Sequence, residues 1–294
     1  MYEEFYGLDK RPFSKTPDPA FLYEGRRHGE ALARLTLAVE DKDVALLTGE
    51  IGAGKTTLSR ALIDRLDERY RVVLIINPRL SANQVLALIA ERLGVSPVPT
   101  QKIKLLDALT ERLFALYEEG AVPLVIVDEA HLIPSKQVFE ELRLLTNLQL
   151  DDAPLIGLLL IGQPELRAKL AKPGYTSFVQ RVGMAYHLGA LEVDETRAYV
   201  RHRLAVAGRA TPLFTDAALE AVHEGSGGIP RRINTICQGA LLVGFGNEAH
   251  EIDRPVIEDV LADLATHLGA VFPAPKAPPP LEVGQARGKK ARAG

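Results

Sequence analysis

Apolar runs alternate with helix-period segments through the first two thirds of the chain. Val44–Thr48, Val72–Ile76, Leu124–Val127 and Leu155–Ile161 are nearly continuous apolar runs of strand length. That is the pattern of strands buried on both faces of a parallel sheet. Met184–Leu188 is a fifth candidate strand. Between the runs, Thr56–Arg69, Ala82–Leu93, Leu105–Glu118, Ser135–Leu148 and Pro164–Leu170 carry apolar residues at helical spacing. The alternation predicts an α/β doubly wound domain with a parallel sheet flanked by helices, over residues 43–189. After Gly189 no strand candidate remains. Asp194–Ala207, Asp216–Gly225, Arg231–Gly244 and Pro255–His267 read as amphipathic helices, with Thr215-Asp216 and Asp253 as start signals. A small all-helical domain is therefore expected over residues 190–268. Residues 1–42 are expected to pack on the α/β core. From 269 to 294 the chain turns to Pro, Ala, Gly and basic residues, a composition that forms no core and is expected to be disordered.

Composition adds limits rather than a function. With 294 residues, 47% hydrophobic and 25% charged, the chain has room for one to three ordinary globular domains. A net charge of −3 argues against a nucleic-acid binder that works by bulk charge, so any DNA contact needs a local patch. The Pro-rich tail, with five Lys/Arg against one Glu, is the one basic stretch. The single cysteine, Cys237, excludes an internal disulfide framework, suits a reducing compartment and reads as a buried core thiol. The opening MYEEFYGLDKRPF lacks the basic head and apolar run of a secretory signal. The longest apolar stretch, Leu155–Ile161, falls far below the ~18 residues of a membrane span. A cytoplasmic protein without an integral membrane segment is expected, with any membrane association peripheral, through a partner.

Candidate chemistry lies at the ends of two strands. Gly49-Glu50-Ile51-Gly52-Ala53-Gly54-Lys55-Thr56 fits G-x-x-x-x-G-K-[ST], with an apolar strand before it and a helix after it. Glycines let the backbone wrap a phosphate with N–H groups pointing inward, and the helix start adds unpaired donors. Lys55 would reach the terminal phosphates of ATP, and the Thr56 hydroxyl would coordinate Mg²⁺; Thr57 follows in the first helical turn. Leu124–Val127 runs into Asp128-Glu129 at the carboxyl end of a buried strand, where open α/β sheets bind ligands. Asp128 would hold Mg²⁺ through its water shell, and Glu129 would orient and polarise the attacking water. Asp128-Glu129-Ala130-His131 also spells the DEAH box of certain helicases. Those need two sheet domains, and only one fits here. His131 reads as a surface or supporting residue rather than a ligand.

Further stretches resemble one family. Phe5-Tyr6-Gly7-Leu8, Arg11-Pro12-Phe13, Thr16-Pro17-Asp18-Pro19 and Phe21-Leu22-Tyr23 are similar to the opening of the ExeA/GspA family of AAA+ ATPases. So are Leu144-Leu145-Thr146-Asn147, Gly162-Gln163-Pro164-Glu165-Leu166, Gln180-Arg181, Tyr199 to Gly208, and Gly228-Ile229-Pro230-Arg231 with Ile233-Asn234. The resemblance runs from Met1 to about Leu264. It implies a P-loop AAA+ fold whose helical domain is a lid, and Mg-ATP hydrolysis by a homo-oligomeric ring or filament serving a secretion or pilus-biogenesis machine. By position it implies that Gln163 is the sensor 1 residue helping to place the attacking water. Arg181 becomes an arginine finger reaching a neighbouring subunit's site, with Arg167 the other candidate. Arg231, or Arg232 in its place, becomes sensor 2 at the start of a lid helix. The segment through His28-Gly29-Glu30 is expected near the adenine, although its aromatic residues read equally well as core. ExeA-type proteins continue into a membrane span and a peptidoglycan-binding region where this chain has its tail, so the layout resembles short pilus relatives of the MshM kind. Kinship with TniB/TnsC transposition regulators gives the alternative, a DNA-associated ATPase that recruits a transposase.

Overall fold

The computed structural model describes residues 1–14, 18–150 and 153–269. The chain opens with a short helix, α1 (Tyr2–Phe5), followed by α2 (Arg26–Glu40). Five strands then build one parallel sheet: β1 (Val44–Gly49), β2 (Tyr70–Ile75), β3 (Val122–Val127), β6 (Gly157–Gly162) and β7 (Val182–Leu188). Two further two-residue strands, β4 (Gln149–Leu150) and β5 (Ala153–Pro154), pair with each other as an antiparallel ribbon. The sheet order is β2-β3-β6-β1-β7. Every pairing in it is parallel, so Gly49, Ile75, Val127, Gly162 and Leu188 line a single edge.

The three central strands explain the continuous apolar runs. Successive side chains point to opposite faces, and helices cover both. On one face, α2 and α3 (Lys55–Arg65) bring Leu32, Leu35, Leu58 and Leu62 against Ala45, Leu47, Ile126 and Ile161. On the other, α4 (Ala82–Arg92), α5 (Lys102–Glu118), α6 (Lys136–Thr146) and α7 (Pro164–Leu170) bring Leu86, Leu109, Leu113 and Phe139 against Val125, Val127, Leu158 and Leu160. Each such side chain removed from water contributes about 1.5–3 kcal/mol. The edge strand β7 alternates half-buried and exposed positions, which is why its sequence pattern is weak. A four-residue helix, α8 (Thr176–Val179), leads into it.

Beyond β7 come α9 (Val193–Val206), α10 (Asp216–Ser226), α11 (Pro230–Gly246) and α12 (Arg254–Leu268), the all-helical run expected from the sequence. Thr215 and Asp253 cap α10 and α12 by accepting from Ala218 and Val256 N–H groups. Val200, Leu204, Val222, Ile233, Ile236, Leu241 and Ile257 form the core of this module, with Cys237 fully buried among them.

The N-terminal segment divides its packing between the two modules. Its helix α2 lies against the sheet. Tyr2, Tyr6, Leu8, Phe13 and Phe21 belong to the core of the helical module. The reason is that four bundle helices leave hollows that large aromatic side chains fill, and polar contacts then lock the segment in place. The Tyr6 hydroxyl donates to the Ala249 carbonyl at 3.1 Å. Arg203 of α9 is buried; it donates through Nε to the Pro12 carbonyl and through Nη1 to the Tyr199 hydroxyl at 2.8 Å, and its guanidinium stacks 4.7 Å from the Phe21 ring centre. The chain passes between the modules just before α2 and again at 189–192. Arg27 ties these crossings together, donating to the Ala190 carbonyl at 2.6 Å and pairing with Glu192. The Pro-rich basic tail, Gly269 apart, lies outside the described residues. No described helix is long and apolar enough to cross a membrane.

Candidate nucleotide site

The loop between β1 and α3 is shaped by glycine. Gly52 and Gly54 have φ of +84° and +102°, in the region where a side chain is strained. The loop is also hemmed in: a Cβ on Gly49 would stand 2.5 Å from the Leu188 carbonyl oxygen, and one on Gly52 2.6 Å from Arg231 Cβ. Gly54 is the N-cap of α3 and offers no capping side chain, so the first-turn amides, which have no intrahelical acceptors, face the loop. Lys55 is 7% exposed, and its Nζ donates to the Gly49 and Glu50 carbonyls at 2.7 and 2.9 Å. Burial pulls its pKa down, against the attraction of Glu129, Asp128 and Glu50. Around it, Ala53 is buried, Thr57 half-buried, and Glu50, Ile51 and Thr56 are exposed.

Asp128 and Glu129 leave β3 on the same edge. The Thr56 hydroxyl donates to Asp128 Oδ2 at 3.3 Å, which joins the two strand ends directly. Asp128 Oδ1 accepts the Glu129 N–H at 2.8 Å. Burial raises the Asp128 pKa, and that N–H bond is the main force opposing it. Glu129 itself holds φ of +52°, an uncommon conformation for a residue with a side chain and one that concentrates at functional sites. Gln163, immediately after β6, donates from Nε2 to Glu129 Oε2 at 3.2 Å.

Arg231 enters from the helical module. Its N–H donates to the Gly52 carbonyl at 3.2 Å, and its exposed side chain adds positive charge beside Lys55. Lys55, Thr56, Asp128, Glu129, Gln163 and Arg231 thus meet around one loop. Arg181 does not. It precedes β7, and β7 runs parallel to β1 with Val182 opposite Val44 and Leu188 opposite Gly49. Arg181 therefore stands at the far edge of the sheet, roughly 20 Å of strand from its own glycine loop. There it donates to the Thr146 carbonyl at 2.7 Å, while its buried Nε has no hydrogen-bond partner among the described residues.

Two histidines stand beside these groups. His28 of α2 is buried beneath the loop: a Cβ on Gly54 would lie 3.1 Å from its Nε2, the ring hydrogen-bonds the Ala53 backbone, and burial lowers its pKa. His131 lies against Glu129 and Gln163. The family resemblance brings His28 towards the nucleotide and the Asp128–His131 string leaves His131 a surface or supporting residue, but the partners of each are set by the fold.

The donor set fits the phosphates of a nucleotide: an ammonium, an uncapped helix start and a left-handed glycine backbone, with two carboxylates beside them. Comparison with known proteins agrees. A family model described as an AAA domain matches residues 39–170. General secretion pathway protein A of Aeromonas hydrophila is 44% identical over 255 residues, which cover 86% of this chain and 46% of that protein. The chain thus spans about half the length of this relative. Among solved structures, the ORC2 protein of Aeropyrum pernix, in ADPNP and ADP complexes, superposes with a TM-score of 0.62 at 22% identity, over 87% of this chain and 72% of that one. Drosophila ORC bound to DNA gives 0.64 at 16% identity, over 89% and 66%. The RuvB branch migration motor of Thermotoga maritima gives 0.55 at 20% identity, over 82% and 70%. At such identities these structures speak for the fold alone, a P-loop parallel sheet with a helical region after it. With the secretion protein's identity spread over most of the sequence, the chain belongs to the family of AAA+ ATPases that includes general secretion pathway protein A.

Proposed function

We propose that the chain binds Mg-ATP at Gly49–Thr57 and hydrolyses it as a ring or filament, in the service of a secretion or pilus-biogenesis machine. The observation that carries this reading is the hydrogen bond from Gln163 to Glu129, beside a glycine loop joined to Asp128 through Thr56. Lys55 and the first-turn amides of α3 bind phosphate oxygens. Thr56 and Asp128 hold Mg²⁺, which when bound offsets phosphate charge. Glu129 orients the attacking water and takes its proton, with Gln163 steadying the carboxylate. Arg231 links nucleotide state to the helical module, because its backbone is bonded to the loop itself.

Glu129→Gln tests the assignment. The variant keeps the volume and loses the base, so it should bind ATP as tightly as the parent while turnover falls by about 100-fold or more. Turnover that survives the change removes Glu129 from the role. Assembly is supported by Arg181, which is too far from its own site to act there. As a finger it acts on a neighbour, so activity per subunit should rise with protein concentration and Arg181→Ala should lower it by about 10³-fold. Specific activity that stays flat on dilution, with Arg181→Ala harmless, would falsify action in trans.

A further inference from the structure

The contact between Gln163 and Glu129 has a third member. His131 lies two residues past Glu129, in a short 3-10 turn over Ala130–Leu132, and its side chain is 12% exposed. Its Nδ1 stands 3.3 Å from Glu129 Oε2 and 3.5 Å from the backbone nitrogen of Gln163. The Gln163 side chain donates to that same Oε2. One ring nitrogen therefore faces both the acid and the residue that holds it, from two loops that β3 and β6 bring side by side.

The ring's place is set from outside the site. Lys169 of α7 donates through Nζ to the carbonyls of His131 and of Ile133, the latter at 2.8 Å. The Glu129 carbonyl accepts the Leu132 N–H at 2.8 Å, closing the turn. At Gly162 a Cβ would be 2.7 Å from the Leu166 side chain and 3.4 Å from the His131 nitrogen, so the turn packs directly against the end of β6.

A ring nitrogen carries either a lone pair or a proton, never both. With a lone pair, Nδ1 accepts the Gln163 N–H and repels Glu129 Oε2. With a proton, it donates to Oε2 and shares that oxygen with the Gln163 amide, leaving Oε1 free. Either way the ring decides which way the carboxylate turns. We propose that His131 is a positioning residue, setting the orientation of the Glu129 carboxylate against Gln163 through Nδ1. The proposal rests on the hydrolytic reading of Glu129.

Three substitutions and one spectrum test it. His131→Ala should lower kcat by about 10- to 100-fold, the scale of a misplaced reacting group, while KM and the affinity for a fluorescent ATP analogue stay within twofold. His131→Asn, whose amide occupies the place of Nδ1, should recover most of the rate. In nucleotide-free protein, the ¹⁵N signal of the His131 ring should move in Glu129→Gln, a readout that needs no turnover and keeps the native ring. The proposal is overturned if His131→Ala turns over like the parent, if it weakens nucleotide binding in step with kcat, if His131→Asn is no better than His131→Ala, or if the ring signal stays still. Should Glu129→Gln itself hydrolyse ATP, the hydrolytic reading of Glu129 fails. Should it be inactive while His131→Ala matches the parent, only the positioning role is lost.

Discussion

Asp128 carries a cost in the nucleotide-free protein. Burial holds its carboxyl pKa above the value of an unfolded chain. Between those two values the folded state keeps a proton that the unfolded state has released, so stability falls as pH rises through that window. At neutral pH the charged form is the less stable one. Asp128→Asn removes the charge and retains an oxygen to accept the Glu129 N–H. It should melt a few degrees higher than the parent at pH 7, with the gain vanishing below the carboxylate range, while Mg-dependent turnover disappears. Calorimetry across pH checks this, and an unchanged or lower melting point at pH 7 would refute it. Residues of this kind were legible because phosphate and metal chemistry demands particular side chains in one unbroken stretch. His131 reads only as a surface or supporting residue, since its link to Gln163 crosses 32 positions and exists only once β3 and β6 lie side by side.

Elements were legible where both faces of a strand or one stripe of a helix are apolar. β1, β3 and β6 read plainly for that reason. The edge strands are longer than their apolar runs, since Tyr70, Arg71, Val182 and Gly183 lie on partly exposed positions. In α2 the spacing Ala31, Leu32, Leu35, Ala38, Val39 is helical, yet a polar start without a capping side chain conceals where it begins. Turns between elements depend on conformations that only the structure displays. Gly227 and Gly228 join α10 to α11 with φ of +59° and +70°. A Cβ on Gly227 would meet nothing within 4 Å among the described residues, whereas one on Gly228 would sit 2.1 Å from the Leu191 carbonyl oxygen. Gly227→Ala should cost about 1 kcal/mol, the left-handed penalty alone. Gly228→Ala should cost about 3 kcal/mol or more, since backbone on the linker before α9 must also move. Urea denaturation of the pair separates the two terms, and equal losses would contradict the account.

Across the whole molecule, the aromatic N-terminal segment and the C-terminal helices form one body, with the sheet module as the other. Arg203 is the buried joint of the first body. Arg203→Ala strands the Pro12 carbonyl and empties the space beside Phe21, for a loss of about 2–3 kcal/mol. Lys lacks the planar fork and should not restore it. Trypsin should then cut after Lys10 sooner than in the parent; cleavage at an unchanged rate would mean that Arg203 does not hold the segment. Composition concealed this division, because the opening residues are as aromatic as any core and their partners lie almost two hundred positions away. The thiol of Cys237, the chain's single cysteine, has a further use. It is wholly buried in α11 and its pKa is driven far above the ordinary thiol range, so maleimide reagents find no thiolate to attack in the native protein. Cysteines introduced at Ile103 and Leu242, both exposed, can therefore take a dye pair in the wild-type background. Energy transfer between the dyes would then report whether the distance between the two bodies changes when nucleotide is added.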